Sequence, residues 1–569
     1  MLTDRRRSVL SSATVGRRNV GPSIYRGGVR TLVSLLIAAA IALTGAPAAS
    51  ADTGDNLPPG ADPAVWRNYV EGYRAEADWS PRGTIVADSG FRSFPNGFSF
   101  FNTGVPDVFN NALFGSPVEG PPNLDADSMR SLLGSRVCVE RSSAGPCTLT
   151  LAARQWMNST NESMAGGHCF GFASTAAELF NRTLAPGQFQ SGANTTYDLQ
   201  LRNPVNRQIA RNMASQYTFD VMKYALSPRK VVSQLKSSLR NGVMPYTLFI
   251  FWSGGGHALT PYALYDRGNG QFDVGVYDNN YPDALRAIRI DTVSNTYKYL
   301  VMTNPNGKPD IASDVIGLVP TSVISSRQKC PFCPAANETT VQLRPVRSQV
   351  PIKTRITDLD GNPIKGVVVN PPTNPWQPGE KWEFPTYTVP RKQDFIISVQ
   401  NGRNRKAVTT SLLATTGQFS IGTEDARIPA RGVGLLGLVP EKGLVVYGTN
   451  GRQRDLGALV FVDENPSSGV QVSAQTRSKG DALLLGRFDE RRKRVVLFTP
   501  GRDPSAATSS AILQTASGTL YADAEASIPR GGRLVIDYAK WSASRPTGIK
   551  AYLQGRGTQT KVRVTVTGG

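Results

Sequence analysis

The chain has 569 residues, too many for one hydrophobic core, and at roughly 100–200 residues per domain it calls for about three domains. Hydrophobic residues make up 40% and charged residues 19% of it, which excludes a wholly disordered chain and a polytopic membrane protein. Its 55 glycines and 39 prolines point to turn-rich β architecture, and its net charge of +20 has to be located before it is read as affinity for any partner.

The first 51 residues account for part of that charge. Arg5, Arg6, Arg7, Arg17, Arg18, Arg26 and Arg30 precede an apolar run from Leu32 to Leu43; Gly45-Ala46-Pro47 and then Ala49-Ser50-Ala51 follow. This is the layout of a secretory signal peptide over residues 1–51, with a membrane anchor as the competing reading. The apolar run is short for a bilayer. A faint twin-arginine resemblance at Arg6-Arg7-Ser8-Val9-Leu10 lies well before the apolar run, which favours the general secretory route. The predicted mature chain, Asp52–Gly569, carries +14, and all of it lies beyond residue 340, since residues 52–340 sum to about zero. Arg403-Asn404-Arg405-Lys406 and Arg491-Arg492-Lys493-Arg494 belong to that half. For an exported protein the expected anionic partner is a wall polymer, a phosphate-bearing glycan or a lipid head group rather than nucleic acid; dispersed surface charge is the bland alternative.

In chain order, residues 52–88 read as an N-terminal extension with an amphipathic piece at Trp66–Tyr73. Residues 89–148 are rich in Phe, Asn, Gly and Pro. Helices are predicted at Thr148–Met157, at Cys169–Phe180, where Phe172, Ala176, Leu179 and Phe180 share a stripe, and over 206–224. Ser227-Pro228 opens a further helix to about Arg240. Strands are predicted at Met244–Trp252, His257–Tyr265, Phe272–Tyr277 and Lys298–Met302. After Pro334 alternating strands dominate: Thr340–Leu343, Ile352–Thr357, Val367–Val369 and Asp394–Val399, then a series from Val445 to Val566, with a boundary expected near 430. Asp358-Leu359-Asp360-Gly361-Asn362-Pro363 reads as a β-turn; it fails as a calcium loop because the twelfth position is Val369.

Five cysteines stand at 138, 147, 169, 330 and 333. In an oxidising compartment Cys138 pairs locally with Cys147 and Cys330 with Cys333, although four cysteines allow three connectivities. Cys169 is left over, a candidate reactive thiol. Cys330-Pro331-Phe332-Cys333 also has the spacing of a redox dithiol, but its surroundings read as a linker, which favours a structural disulfide.

The chain has two histidines, His168 and His257. Cys169 follows Gly166-Gly167-His168 where a glycine turn enters a helix, and a helix N-terminus favours a thiolate. His257 opens a strand after Gly254-Gly255-Gly256. The strands at 257–265 and 271–278 flank Arg267-Gly268-Asn269-Gly270. With Gly268-Asn269 as the turn, paired residue numbers sum to 537: Leu259 faces Asp278, and His257 faces Asn280. His257, Asp278 and Asn280 then share one face, Asp278 being diagonal to His257, and a single bulge would break the arrangement. Zinc binding by His168, Cys169 and His257 is a weaker reading, because adjacent residues converge poorly on a tetrahedral ion. An inert buried Cys169 or a degenerate site are the remaining structural alternatives.

The order Cys, His, Asp, with Cys at a helix start and the other two on adjacent strands, resembles the papain-like superfamily, which includes papain-type peptidases, double-glycine leader peptidases and transglutaminase-like proteins. Gly-Gly-His-Cys-Phe-Gly at 166–171, Gly-Gly-His-Ala at 255–258 and Tyr-Asp-Asn-Asn at 277–280 carry the resemblance, which covers about 150–300. The Cys–His gap is shorter than in papain, and the acid is Asp rather than Asn. The resemblance implies a thiolate–imidazolium pair, Asp278 orienting His257, and an oxyanion bound by the Cys169 amide and an upstream side-chain amide, with Gln155 preferred over Asn158 and Asn161. The Ile356–Val369 segment separately resembles the first hairpin of immunoglobulin-like sandwiches. The expected plan is an α+β papain-like domain over 89–334, then all-β domains: an immunoglobulin-like sandwich over 335–430 and a β-rich region over 431–569. The expected activity is cofactor-free hydrolysis of a peptide or isopeptide bond in a peptide or protein substrate. The alternatives are transglutaminase-like acyl transfer and a non-enzymatic adhesion protein with a vestigial site.

Overall fold

The computed structural model describes residues 79–102, 123–139, 143–164, 167–252, 255–282, 284–300, 311–312, 315–335, 337–343, 353–370, 386–402, 404–416, 419–450, 458–463, 470–477, 483–498, 505–515, 518–542, 544–555 and 557–567. The expected signal peptide and the amphipathic piece at Trp66–Tyr73 lie outside these residues. No helix among the described residues is long and apolar enough to cross a membrane.

The first half contains helices α1 (Ala126–Leu133), α2 (Leu151–Ser163), α3 (Cys169–Phe180), α4 (Asn203–Ser215) and α5 (Pro228–Ser238). Its strands are β1 (Thr84–Asp88), β2 (Ala225–Leu226), β3 (Tyr246–Trp252), β4 (Gly255–Gly268), β5 (Gln271–Tyr277), β6 (Arg286–Asp291), β7 (Thr296–Tyr299), β8 (Ile311–Ala312) and β9 (Val315–Pro320). They form one sheet in the order β2-β9-β3-β4-β5-β6-β7-β8, with β1 also paired to β4. The continuous apolar run Leu248–Phe251 suits a strand covered on both faces. Leu248 and Ile250 enter one hydrophobic cluster, while Phe249 and Phe251 enter another. Helix α3 is buried along its length except at Phe180. Helix α2 starts three residues later than expected, because Thr150 caps it by accepting from the Ala153 N–H, and it runs on to Ser163. The helical reading of 206–224 resolves into α4, which ends at Ser215, and a separate short 3-10 turn at Val221–Tyr224.

Part of the expected N-terminal extension belongs to this half. Residues 84–88 form β1, and Trp79 packs edge-on against Tyr299. Beyond it, Phe91, Phe98 and Phe100 have no exposed surface. These residues build the core of the first half.

The second half is a sandwich of two long antiparallel sheets. Its strands are β10 (Glu338–Leu343), β11 (Lys353–Thr357), β12 (Val368–Asn370), β13 (Thr386–Pro390), β14 (Phe395–Gln400), β15 (Val408–Thr415), β16 (Phe419–Ile428), β17 (Val433–Val439), β18 (Leu444–Thr449), β19 (Ala458–Asp463) and β20 (Val470–Arg477). The series continues with β21 (Leu483–Asp489), β22 (Arg494–Phe498), β23 (Ser505–Thr515), β24 (Gly518–Ile528), β25 (Arg533–Asp537), β26 (Lys550–Gln554), β27 (Gln559–Val562) and β28 (Val564–Thr567). One sheet runs β12-β13-β10-β15-β16-β19-β20-β23-β24-β28, the other β11-β14-β17-β18-β21-β22-β25-β26-β27. From β15 onward, successive hairpins alternate between the sheets. The segment from Ile356 to Val369 is therefore not a hairpin: β11 and β12 lie in opposite sheets. Both sheets run through residue 430, where the sequence suggests a boundary, and a single buried cluster extends from Val341 to Val562.

An internal repeat underlies this alternation. Strands β17, β21 and β25 begin at residues 433, 483 and 533, a spacing of 50. Ala426-Arg427-Ile428-Pro429 and Gly432 recur 100 residues later as Ala526-Ser527-Ile528-Pro529 and Gly532. In both copies the glycine N–H donates to the proline carbonyl, at 3.0 and 2.8 Å. Each unit exposes an apolar face alone and buries it by stacking on its neighbours.

The two halves meet at a shared core. Leu413 of β15 joins Trp156, Phe332 and Leu132 in one buried cluster, and the Thr340 hydroxyl donates to the Phe332 carbonyl. The Cys330–Cys333 disulfide lies at this junction and the Cys138–Cys147 disulfide in the first half, as expected from their spacing. No helix starts at Cys330, which a redox dithiol requires.

Close strand approach in the sandwich rests on glycine. A Cβ at Gly422 would lie 1.8 Å from the Leu412 carbonyl oxygen, whereas one at Gly437 would meet nothing nearer than 3.9 Å. Gly422→Ala is expected to destabilise the protein by about 1–3 kcal/mol, and Gly437→Ala to stay within about 0.5 kcal/mol. Thermal denaturation followed by circular dichroism checks both; equal melting temperatures for the two variants would refute the packing argument.

Candidate active site

Cys169 is the first residue of α3, 7% exposed, and is a free cysteine. The turn before it is tightly built. Gly167 has φ +116°, a conformation suited to glycine, and a Cβ there would come within 2.8 Å of the Asn102 amide nitrogen. The backbone N–H of His168 donates to Asn102 Oδ1 at 2.7 Å. The His168 ring is fully buried, with Nε2 2.9 Å from Asn206 Oδ1, and packs edge-on against Phe172. His168 is a structural residue of this turn. One helical turn on, a Cβ at Gly171 would lie 2.0 Å from the Ile209 carbonyl oxygen, so the glycine lets α3 and α4 touch backbone to backbone.

His257 lies near the start of β4, opposite Ile250 of β3. The β4–β5 register reaches the expected value by a different route. The turn is Asn269-Gly270, with φ of +52° and +77°, and Gly268 pairs with Gln271. Two irregularities, between Asp266 and Gly268 and between Pro261 and Ala263, then shift the ladder back. At the site end Thr260 pairs with Tyr277 and Pro261 with Val276, which is the register expected from the sequence. Continued past β5, it brings Asp278 beside His257. Nε2 of His257 lies 2.7 Å from Asp278 Oδ1, and the imidazole also interacts with the Cys169 side chain. With Nε2 on the carboxylate, Nδ1 is the nitrogen left for the sulfur.

Each residue of the block that follows β5 has a task. Asp278 Oδ1 also accepts from the Asn280 N–H at 2.9 Å, and Oδ2 accepts from the Tyr299 hydroxyl at 2.5 Å. Asn279 Nδ2 donates to the carbonyls of Cys169 at 3.2 Å and Ala258 at 2.8 Å, tying α3 to β4. Asn280 Oδ1 accepts from Asn102 Nδ2 at 3.0 Å, while the Asn102 N–H donates to the Asn279 carbonyl at 2.7 Å. The Tyr277 hydroxyl accepts from the Phe98 N–H.

The electrostatics follow from this enclosure. Burial by itself works against the His257 imidazolium, but the Asp278 carboxylate, the hydrogen bond to it and the adjacent Cys169 outweigh it, and the pKa is pushed up to about 10. Burial likewise works against ionised Asp278; the charge of His257, its hydrogen bond and the more remote Arg286 hold the carboxyl below its ordinary range. Arg286 is fixed by donating to the Leu300 carbonyl and by stacking 3.7 Å over the Tyr281 ring. Tyr299 stays a neutral donor, its pKa raised by burial and by the adjacent Asp278 charge.

The structure brings Cys169, His257 and Asp278 together and leaves Gln155 out. Gln155 sits on α2, and its amide donates to the Ser411 carbonyl at 3.5 Å, in a cleft facing the sandwich. Asn158 and Asn161 line the same cleft. The upstream amide beside the Cys169 turn is instead Asn102. Sequence reasoning missed it because it lies 67 positions before Cys169, in a stretch without periodicity; the glycine pair before His168 was the available sign that another chain packs closely there. Among the described residues, no group of three or more His, Cys, Asp or Glu side chains is arranged to hold a metal ion.

No protein-family model, curated protein or solved structure matches this chain.

The folded pKa of His257 lies above the 6.5 of an ordinary imidazole. Its ion pair therefore stabilises the fold fully below pH about 6.5, and that contribution is lost as the pH rises through about 10. With two histidines in the chain, long-range ¹H–¹⁵N spectra resolve the titration of each, His257→Gln supplying the assignment. Asp278→Asn removes the main favourable charge and leaves the burial, so the midpoint is expected to fall toward or below 6.5. A midpoint that stays near 10 in Asp278→Asn would show that the carboxylate is not its cause.

Proposed function

We propose that this protein is an exported cysteine hydrolase that cleaves peptide or isopeptide amides through Cys169, His257 and Asp278. One observation carries the reading: a free, buried cysteine at a helix N-terminus interacts with the ring of a histidine whose Nε2 lies 2.7 Å from a fully buried aspartate. A thiolate is the nucleophile, and an adjacent imidazole both activates it and returns the proton. The same geometry on a helix start and neighbouring strands supports the likeness to papain-like enzymes.

In this reading the Cys169 sulfur attacks the substrate carbonyl carbon. The Cys169 backbone N–H at the open end of α3 and the Asn102 amide stabilise the developing oxyanion, Asn102 taking the part expected of Gln155. The His257 imidazolium protonates the leaving amine, and the C–N bond breaks to leave a thioester. Water, deprotonated by His257, then releases the acid and restores the thiol. Asp278 keeps the ring oriented throughout, and Tyr299 holds its second oxygen. Export is supported by the two disulfides, which suit an oxidising compartment.

The basic sandwich holds the enzyme near an anionic surface in the same proposal. Part of its charge is internally committed: Lys493 pairs with Asp463 at 2.6 Å and Arg494 with Asp537 at 2.7 Å. Retention on purified wall material is expected to fall as salt rises; absent or salt-insensitive retention would sink the docking idea.

Alkylation by iodoacetamide tests the activated thiol. His257→Ala is expected to slow modification of Cys169 by about 100-fold at neutral pH, and equal slow rates in both proteins would refute the reading. Asn102→Ala separates the oxyanion role from thiol activation. It is expected to lower kcat on peptide amides by about 100-fold and to slow alkylation far less, the smaller effect coming from loss of the acceptor for the His168 N–H at the Cys169 turn; an equal fall in both would refute the oxyanion role. Incorporation of an amine in place of hydrolysis would assign the site to the transglutaminase-like branch.

A further inference from the structure

The two outer faces of the sandwich are not alike. One sheet meets the α/β half, through Leu413 and Ser411 of β15 and Gln471 of β20. The outer face of the other sheet, β11-β14-β17-β18-β21-β22-β25-β26-β27, is therefore turned away from that half. On a sheet with one face in water, the outward residues are ordinarily polar. On this sheet many of them are apolar.

In β17, Leu436 and Leu438 belong to the core, and the residues that alternate with them outward include Val433, Leu435 and Val439. Leu435 is 44% exposed. In β18, Val445 and Tyr447 point inward and Leu444 and Val446 outward. β21 and β22 repeat the pattern, with Leu483, Leu485, Val496 and Phe498 outward and half-buried. Register sets these side chains next to one another. One row across the strands runs Ile396, Gly437, Val446, Leu485 and Phe498; the next runs Val439, Leu444, Arg487, Val496, Val535 and Tyr552. With strands about 4.8 Å apart and rows about 6.8 Å apart, two rows over six strands cover on the order of 400 Å². Exposed apolar patches of that size are often functional.

Cations border this band. Lys353 and Arg355 on β11, Arg487 within the band, Arg533 on β25, Lys550 on β26 and Lys561 on β27 are all exposed. The outward acids on the described strands of this sheet are Asp489 and Asp537, and Asp537 is paired with Arg494. The combination selects among occupants. A second copy docked face to face would bring cations against cations. An anionic wall polymer would meet the charge but leave the apolar band in water. A bilayer with anionic head groups meets both, the acyl boundary taking the band and the head groups taking the cations.

We propose that this face docks the protein on an anionic lipid bilayer. The proposal narrows the anionic-surface reading above, on which it rests, and is independent of the catalytic one. The test is co-sedimentation of the full mature chain with vesicles of phosphatidylcholine alone and of phosphatidylcholine and phosphatidylglycerol in equal amounts. The mixed vesicles are expected to bind about 100-fold more tightly. Removing two cations in Lys550→Gln/Lys561→Gln is expected to weaken that binding by about 30-fold, and Leu435→Ser by about tenfold. These positions are exposed and lie on different strands, so either variant carries the test if melting curves show that the other fails to fold. The proposal is overturned if the two vesicle types bind equally or not at all, or if both variants bind the mixed vesicles as the unaltered chain does. Salt-sensitive retention on wall material without vesicle binding overturns it and leaves the docking reading standing. Dimerisation in sedimentation velocity that Leu435→Ser abolishes, without vesicle binding, assigns the face to a second copy and overturns it as well.

Discussion

A carboxylate with no surface in water lies at the centre of the first half. Asp278 is charged there only because partners surround it: the His257 ring, the Tyr299 hydroxyl, the Asn280 N–H and the nearby Arg286. Removing one partner from such a buried pair costs about 3–5 kcal/mol, because the remaining charge is left uncompensated. The strands therefore have to arrive in one register, and β6 and β7 have to supply Arg286 and Tyr299. The site and the stability of the sheet rest on the same set of contacts.

The helix that carries Cys169 is held with equal rigour. Glycines at 167 and 171 remove the side chains that would block Asn102 and the Ile209 carbonyl. Asn279 then fixes the first carbonyl of the helix to β4. A thiol placed this way cannot drift from the imidazole without breaking hydrogen bonds that have no water to replace them. The sandwich is built on another principle. Its hairpins alternate between two sheets at a 50-residue spacing, so each unit depends on its neighbours, and the innermost strands also seal the junction with α2.

Much of the site was legible because its residue types are scarce. Two histidines and one unpaired cysteine leave few combinations, and the glycines around them mark close backbone approach. The helix Cys169–Phe180 was legible from its apolar stripe. The register of His257 against Asp278 was reached from a turn one residue away from the real one. Two ladder irregularities compensate for that difference, and no local sequence signal announces them. Gln155 was a misreading of another kind: an amide upstream of the cysteine has the right chemistry, but α2 turns it toward Ser411. The repeat in the sandwich was legible in Ala-x-Ile-Pro-x-x-Gly at 426 and 526 but is missed when strands are read one at a time.

The sequence by itself determined the inventory: the candidate nucleophile and base, the cysteine set, the helix that starts at Cys169, and the change from mixed to all-β patterning after residue 334, while the disulfide pairing among three possible connectivities waited for the structure. These are properties of spacing, scarcity and local periodicity, which survive in one dimension. Tertiary structure alone decided that Asn102 rather than Gln155 reaches the cysteine turn. It also decided that Tyr299 and Arg286 sustain the buried charge, and that α2 forms a cleft with the sandwich. Those outcomes depend on which distant segments pack together, and packing is chosen by the burial of whole faces, which no short window of sequence contains.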